Sequence, residues 1–106
     1  MAESLPGYTF AIEETHHTSK LDSPSGTAIS LQQSAAAAGE VPITANREGD
    51  VAGIHTLTAT SEADKLTLTH EAFSRRGFAE GAVRAAEWLV KQKPGVHDFR
   101  DIFAQL

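Results

Sequence analysis

Cysteine is absent from the 106 residues, so no disulfide framework braces the chain and no thiolate is available to a metal ion. That absence fits a reducing compartment. Basic residues are few: nine stand against fourteen acidic ones, for a net charge of −5, and no local basic patch redeems the deficit. A nucleic-acid or anionic-membrane partner is therefore disfavoured. No apolar run approaches membrane-spanning length, and nothing before Tyr8 reads as a signal peptide. No strand pattern is followed by G-x-G-x-x-G, the fingerprint that seats a dinucleotide. The expectation is a soluble, cytoplasmic domain with one core, burying roughly 65% of its unfolded surface.

What is present is concentrated between Glu13 and Ala28, E-E-T-H-H-T-S-K-L-D-S-P-S-G-T-A. Sixteen residues supply two imidazoles, an ammonium, three carboxylates and the start of a helix. Upstream, Tyr8, Phe10 and Ile12 alternate with Thr9, Ala11 and Glu13, which predicts a half-buried strand ending near Glu14. His16 and His17 then fall just past the strand end, pointing to opposite sides of an extended chain. With no H-x-x-x-H pair and no cysteine, a zinc site is set aside, and no metal is expected.

Pro24 keeps Ser23 and Asp22 out of a helix, while Ser25 or Thr27 can cap the helix that A-I-S-L-Q-Q-S-A-A-A-A favours. The first turn of a helix carries unpaired N–H groups and partial positive charge. Ser25, Gly26 and Thr27 therefore offer a seat for a carboxylate or phosphate, with Lys20 able to add a full charge. Spacing alone leaves a second reading equally open, in which P-S-G-T is only a cap and His16, His17 and Lys20 are solvated loop residues.

The pattern E-x-H-H-x-x-K-x-D-x-P-S-G-T-A, running from Glu14 to Ala28, resembles the signature of the dihydrodipicolinate reductases, also called 4-hydroxy-tetrahydrodipicolinate reductases, of the diaminopimelate route to lysine. R-E-G-D-V-A-G-I-H-T, L-T-H-E-A-F-S-R-R-G-F-A-E-G-A and G-V-H-D-F-R-D-I-F extend the likeness from about Tyr8 to Phe103. The resemblance implies that His16 and Lys20 are the acid/base residues and that His17, Gly26 and Thr27 contact substrate carboxylates, with Ser25 beside them. It implies a cyclic dicarboxylate imine as substrate, NADPH or NADH as hydride donor, and a homotetramer assembled through its sheets. The missing dinucleotide fingerprint restricts the likeness to the carboxy-terminal, substrate-binding and oligomerising half. The fragment alone is then expected to be inactive. A stand-alone dicarboxylate-binding or oligomerisation module without catalysis is the rival from another class.

The remaining chain predicts an α+β fold of two helices on one face of a mixed or antiparallel sheet of about four strands, with a short terminal helical turn. Residues 1–7, ending in Pro-Gly, read as a linker stub or cut end, and 8–106 as the domain. The first helix is expected over Thr27–Ala38, closed by Gly39, with Ala28, Leu31, Ala35 and Ala38 on its apolar stripe. I-T-A-N-R suggests a short second strand. Gly53–Thr60 and Lys65–Phe73 form a hairpin about S-E-A-D, whose symmetric register places His55 opposite His70. That pair is read as a hydrogen-bonded part of the sheet or of an interface rather than a metal site. Arg75 is a candidate support for the site or an interface, and Phe78–Gln92 reads as the second helix.

Overall fold

The computed structural model describes residues Ala2–Gln105. It contains two α-helices and a four-stranded mixed sheet, an α+β architecture. The chain divides after Phe73 into two compact units.

The first unit holds the sheet, in the order β2-β1-β3-β4. β1 (Thr9–His16) alternates exposed and buried residues, sending Phe10, Ile12, Glu14 and His16 to one face. The strand runs two residues beyond the expected end near Glu14, because Ile43–Arg47 pairs alongside it in parallel and carries the ladder to His16 opposite Arg47. That partner, β2 (Ile43–Arg47), is the short strand read from I-T-A-N-R. β3 (Gly53–Thr60) is antiparallel to both β1 and β4 (Lys65–Ala72), and the hairpin register sets His55 opposite His70 as expected. Ser61 closes the hairpin loop, its Oγ accepting the N–H groups of Ala63 and Asp64 at 3.1 Å each. Thr56 Oγ1 and Thr69 Oγ1 share a 3.1 Å hydrogen bond on the face opposite the core.

The crossover between the parallel strands β1 and β2 is made by α1 (Gly26–Ser34). The helix is shorter than the expected Thr27–Ala38. Ala35 N–H already shares its bond between the Leu31 and Gln32 carbonyls, and Ala36–Ala38 continue as a tighter 3-10 turn. Four alanines favour helix but do not say which helix. The shortening lets the chain reverse at Gly39, whose φ of +92° is open to glycine at little cost, and Gln32 Nε2 then anchors the Val41 carbonyl at 2.8 Å.

Phe10, Ile12, Leu57 and Ala59 from the sheet meet Ala28 and Ala35 of the helical segment, with Val41 and Ala2 completing the core. The amino-terminal residues read as a stub thus take part in packing, since Ala2 is buried and Leu5 lies against the core. Alanine at 28, wholly inaccessible, allows the helix to sit close to the strands.

The second unit contains α2 (Arg76–Leu89) and a terminal 3-10 segment (Phe99–Gln105). α2 begins two residues earlier and ends three earlier than the expected Phe78–Gln92. Arg76 pairs with Glu80 one turn on, at 2.7 Å. Asp98 caps the terminal segment by accepting the Arg100 N–H, and the Arg100 side chain holds the Asp98 carboxyl down at about 2. The Trp88 and His97 rings meet edge to face, with centroids 5.9 Å apart.

Phe10 is 2% exposed and Phe73 is 91% exposed. Phe10→Ala should therefore cost about 3–5 kcal/mol in urea unfolding. Phe73→Ala should stay within about 0.5 kcal/mol.

Candidate functional site

The buried face of β1 changes character along its length. Phe10 and Ile12 build the apolar core, and the next two inward positions are a carboxylate and an imidazole. Glu14 is 0% exposed, Ser25 2%, His55 6% and His16 7%. Topology gathers them. β1 and β2 run in parallel and finish at the same end of the sheet, antiparallel β3 starts there, and α1 also begins there.

Glu14 is the shared partner. Its Oε1 accepts from Arg47 Nη1, its Oε2 accepts the Ser25 N–H at 3.3 Å, and the same Oε2 lies 2.9 Å from His16 Nδ1. His16 Nδ1 makes no well-formed hydrogen bond there, so the contact is a close approach of the ring to the carboxylate. Burial by itself raises the Glu14 pKa. The Arg47 guanidinium, the Ser25 amide and the nearby His16 ring outweigh it and hold the carboxyl below its ordinary range. Arg47 reaches further, with Nη2 donating to the Asp22 carbonyl at 2.6 Å and Nη1 to its neighbour Asn46 at 2.8 Å.

Ser25 is the N-cap of α1, its Oγ accepting the Ala28 N–H at 3.2 Å. The same hydroxyl meets His55 Nε2 at 3.0 Å. With one Oγ lone pair taken by Ala28, the economical arrangement has the Ser25 hydroxyl donating to His55 Nε2 and the His55 proton on Nδ1. Both polar groups of Ser25 are thus engaged inside the fold. Gly26 and Thr27 are exposed, and their first-turn amides are the ones the cap does not use.

The loop from His17 to Pro24 is pinned at several points. Thr18 N–H donates to the Gly49 carbonyl, Glu48 N–H to that of His16, and Lys20 N–H to that of His17. Lys20 Nζ pairs with Asp22 Oδ1 at 3.0 Å. His16 lies inside the strand rather than past it, buried, while His17 is only partly covered just beyond the strand end. The structure therefore brings His16, Ser25 and His55 together on Glu14. His70 is the exposed cross-strand neighbour of His55. Arg75 belongs to the second unit.

Three residues of this region escaped the sequence reading. Glu14 and Arg47 are thirty-three positions apart and meet only through the parallel pairing of β1 and β2. Gly53 is the third. A Cβ there would come within 3.1 Å of His16 Nε2, and its φ of +157° suits glycine, so the missing side chain makes room for the imidazole.

The rings of His16 and His55 meet edge to face at 5.0 Å, and with Glu14 they place three donor atoms within 4.8 Å of one another. Glu14 is already neutralised by Arg47, so a divalent cation at this spot would face a partly buried guanidinium. The trio is accordingly a carboxylate paired with Arg47 and flanked by two imidazoles. Burial lowers the His16 pKa, with Lys20 and Arg47 adding to the fall and Glu14 opposing it. Burial likewise lowers that of His55, helped by His16.

Residues 1–103 match the family model described as "Dihydrodipicolinate reductase, C-terminus". A 4-hydroxy-tetrahydrodipicolinate reductase of Christiangramia forsetii is 46% identical over 120 aligned residues, covering 100% of this chain and 50% of the relative. That of Bdellovibrio bacteriovorus is 48% identical over 102 residues, covering 93% of this chain and 44% of the relative. The chain thus spans about half the length of the curated relatives it matches. Among solved structures, a dipicolinate-bound dihydrodipicolinate reductase from Paenisporosarcina sp. TG-14 shares the fold with a TM-score of 0.69. Its identity is 24%, over 89% of this chain and 44% of that one.

The two buried histidines make stability sensitive to acid. Their folded pKa values lie below the unfolded value of about 6.5, so the unfolded state binds more protons once the pH falls beneath it. The contribution is complete above about pH 7 and is lost as the pH drops through the depressed folded values. Depression of Glu14 acts in the same direction at lower pH. Thermal unfolding followed by circular dichroism should show a plateau near neutrality and a declining midpoint below about pH 6.5. A midpoint that is constant or rises between about pH 7 and 5 contradicts this.

Proposed function

Because this chain belongs to the dihydrodipicolinate reductase C-terminal family, we propose that it is the substrate-binding and catalytic-loop part of a 4-hydroxy-tetrahydrodipicolinate reductase acting in diaminopimelate and lysine biosynthesis in the cytoplasm. The observation that carries the reading is one end of the sheet, where a buried imidazole, an ammonium-bearing loop and the open first turn of α1 come together.

In this reading the substrate is a cyclic dicarboxylate imine, and NADPH or NADH supplies a hydride when bound. These residues contain no strand followed by G-x-G-x-x-G, so the nucleotide is assigned to the half of the relatives that lies outside this chain. Here the work is orientation and charge. The exposed Gly26 and Thr27 amides at the positive end of α1, with His17, hold the carboxylates. Ser25 shapes that seat from behind as the cap. Lys20 and His16 stabilise and protonate the nitrogen-bearing π-system as negative charge develops. The Lys20–Asp22 pair is a solvent-side contact that an anionic substrate can replace.

The threonine face of the β3-β4 hairpin, away from the core, is proposed as the surface through which copies assemble, as a homotetramer. Sedimentation at micromolar concentration should show a species heavier than the monomer. A strictly monomeric chain would remove this face from the reading.

Three substitutions, made in the chain joined to its dinucleotide-binding half, separate the roles. His16→Gln and Lys20→Ala should each lower kcat by about 10²- to 10⁴-fold with a smaller effect on KM, as expected for groups that act on charge arising in the transition state. Thr27→Ala should raise KM more than it lowers kcat, with little change in stability, since Ser25 is the cap. Equal losses of kcat and affinity in all three variants, together with unfolding, would reduce the stretch to an architectural loop.

A further inference from the structure

Among the described residues Glu14 is the one large side chain sealed completely from solvent, yet the roles proposed above give it nothing to do. A buried carboxylate is costly unless its oxygens are occupied by donors or cations. Here each contact leads to a different part of the site: Arg47 to the loop at Asp22, the Ser25 amide to the start of α1, and His16 Nδ1 to the imidazole itself. Were the core purely structural at this position, an apolar side chain continuing the Phe10–Ile12 row would serve as well or better.

We propose that Glu14, braced by Arg47, is the positioning residue for His16, fixing the ring with its proton on Nδ1 so that Nε2 faces the space left by Gly53. The inference rests on the role given to His16 above. Its physical basis is short-range. A bare Nδ1 lone pair 2.9 Å from a carboxylate oxygen would be repelled, whereas an N–H there is attracted even without a well-formed hydrogen bond. Nε2 is the nitrogen nearest to the absent Gly53 side chain, 3.1 Å from where a Cβ would stand. Arg47 fixes the carboxylate from β2, and its second nitrogen ties the same guanidinium to Asp22, two residues from Lys20. One carboxylate thereby sets the imidazole and is held by the group that braces the ammonium-bearing loop.

The charged and titratable groups facing His16 are Glu14 on its own strand, Arg47 on β2, His55 on β3 and Lys20 in the loop. Of these only Glu14 raises the imidazole pKa, against burial, Lys20 and Arg47. Removing its charge must therefore leave His16 harder to protonate.

Nitrogen-15 NMR of the imidazoles in the 106-residue chain reads both parts of the proposal. The neutral His16 ring of the unaltered chain should carry its proton on Nδ1; a proton on Nε2 overturns the proposal, whatever any variant does. In Glu14→Gln, which keeps the side chain's shape, the His16 pKa should fall by about 1–3 units. In Arg47→Lys, which keeps a cation on β2, it should move much less. An unmoved His16 titration in folded Glu14→Gln would make Glu14 a packing residue only. Should Glu14→Gln fail to fold, the tautomer in the unaltered chain decides. Failure of the functional reading would show itself elsewhere, as undiminished turnover in His16→Gln, and would leave tautomer and titration as they are.

Discussion

The contact between the Glu14 carboxylate and the Arg47 guanidinium is the constraint on which this end of the molecule depends. A lone carboxylate at that depth would protonate or draw in water. Together the two groups allow polar chemistry to continue directly from the apolar row of Phe10 and Ile12, with no gap between core and site. The pair contributes little to stability beyond what apolar side chains could give. What it adds is placement, because each partner has hydrogen-bonding capacity left for a second element.

That placement follows from the mixed topology. A wholly antiparallel meander would put the end of β1 beside the start of β2. Parallel pairing puts both ends together, and the crossover helix between them must begin close to where β1 finishes. The positive end of α1, the last inward side chains of β1 and the last residue of β2 are thus neighbours by geometry, and β3 supplies His55 from the other side. A helix start and an imidazole thereby stand side by side at this end of the sheet.

Much of the local architecture was legible in the sequence. Alternation identified β1, the symmetric S-E-A-D loop gave the register of His55 against His70, and Ser25 was one of two capping candidates. The failures share a cause. His16 lies within β1 because β2 extends the ladder, and Glu14 meets Arg47 through the same pairing. The end of α1 at Ser34 depends on where Val41 must be tied down, and an alanine run carries no mark of it. Periodicity reports which face a residue occupies. It does not report what stands across from it when the partner strand arrives by a crossover.

Every residue of the buried network lies before Phe73, within the first of the two compact units, yet the network is dispersed over all of β1, the loop, α1 and two further strands. For exchange of segments between related genes this has an uneven consequence. A junction at Phe73 transfers the ensemble intact. A junction between Ser25 and Arg47 separates a carboxylate from its counter-ion, and a chimera joined there inherits a buried charge from one parent and must find its neutraliser in the other.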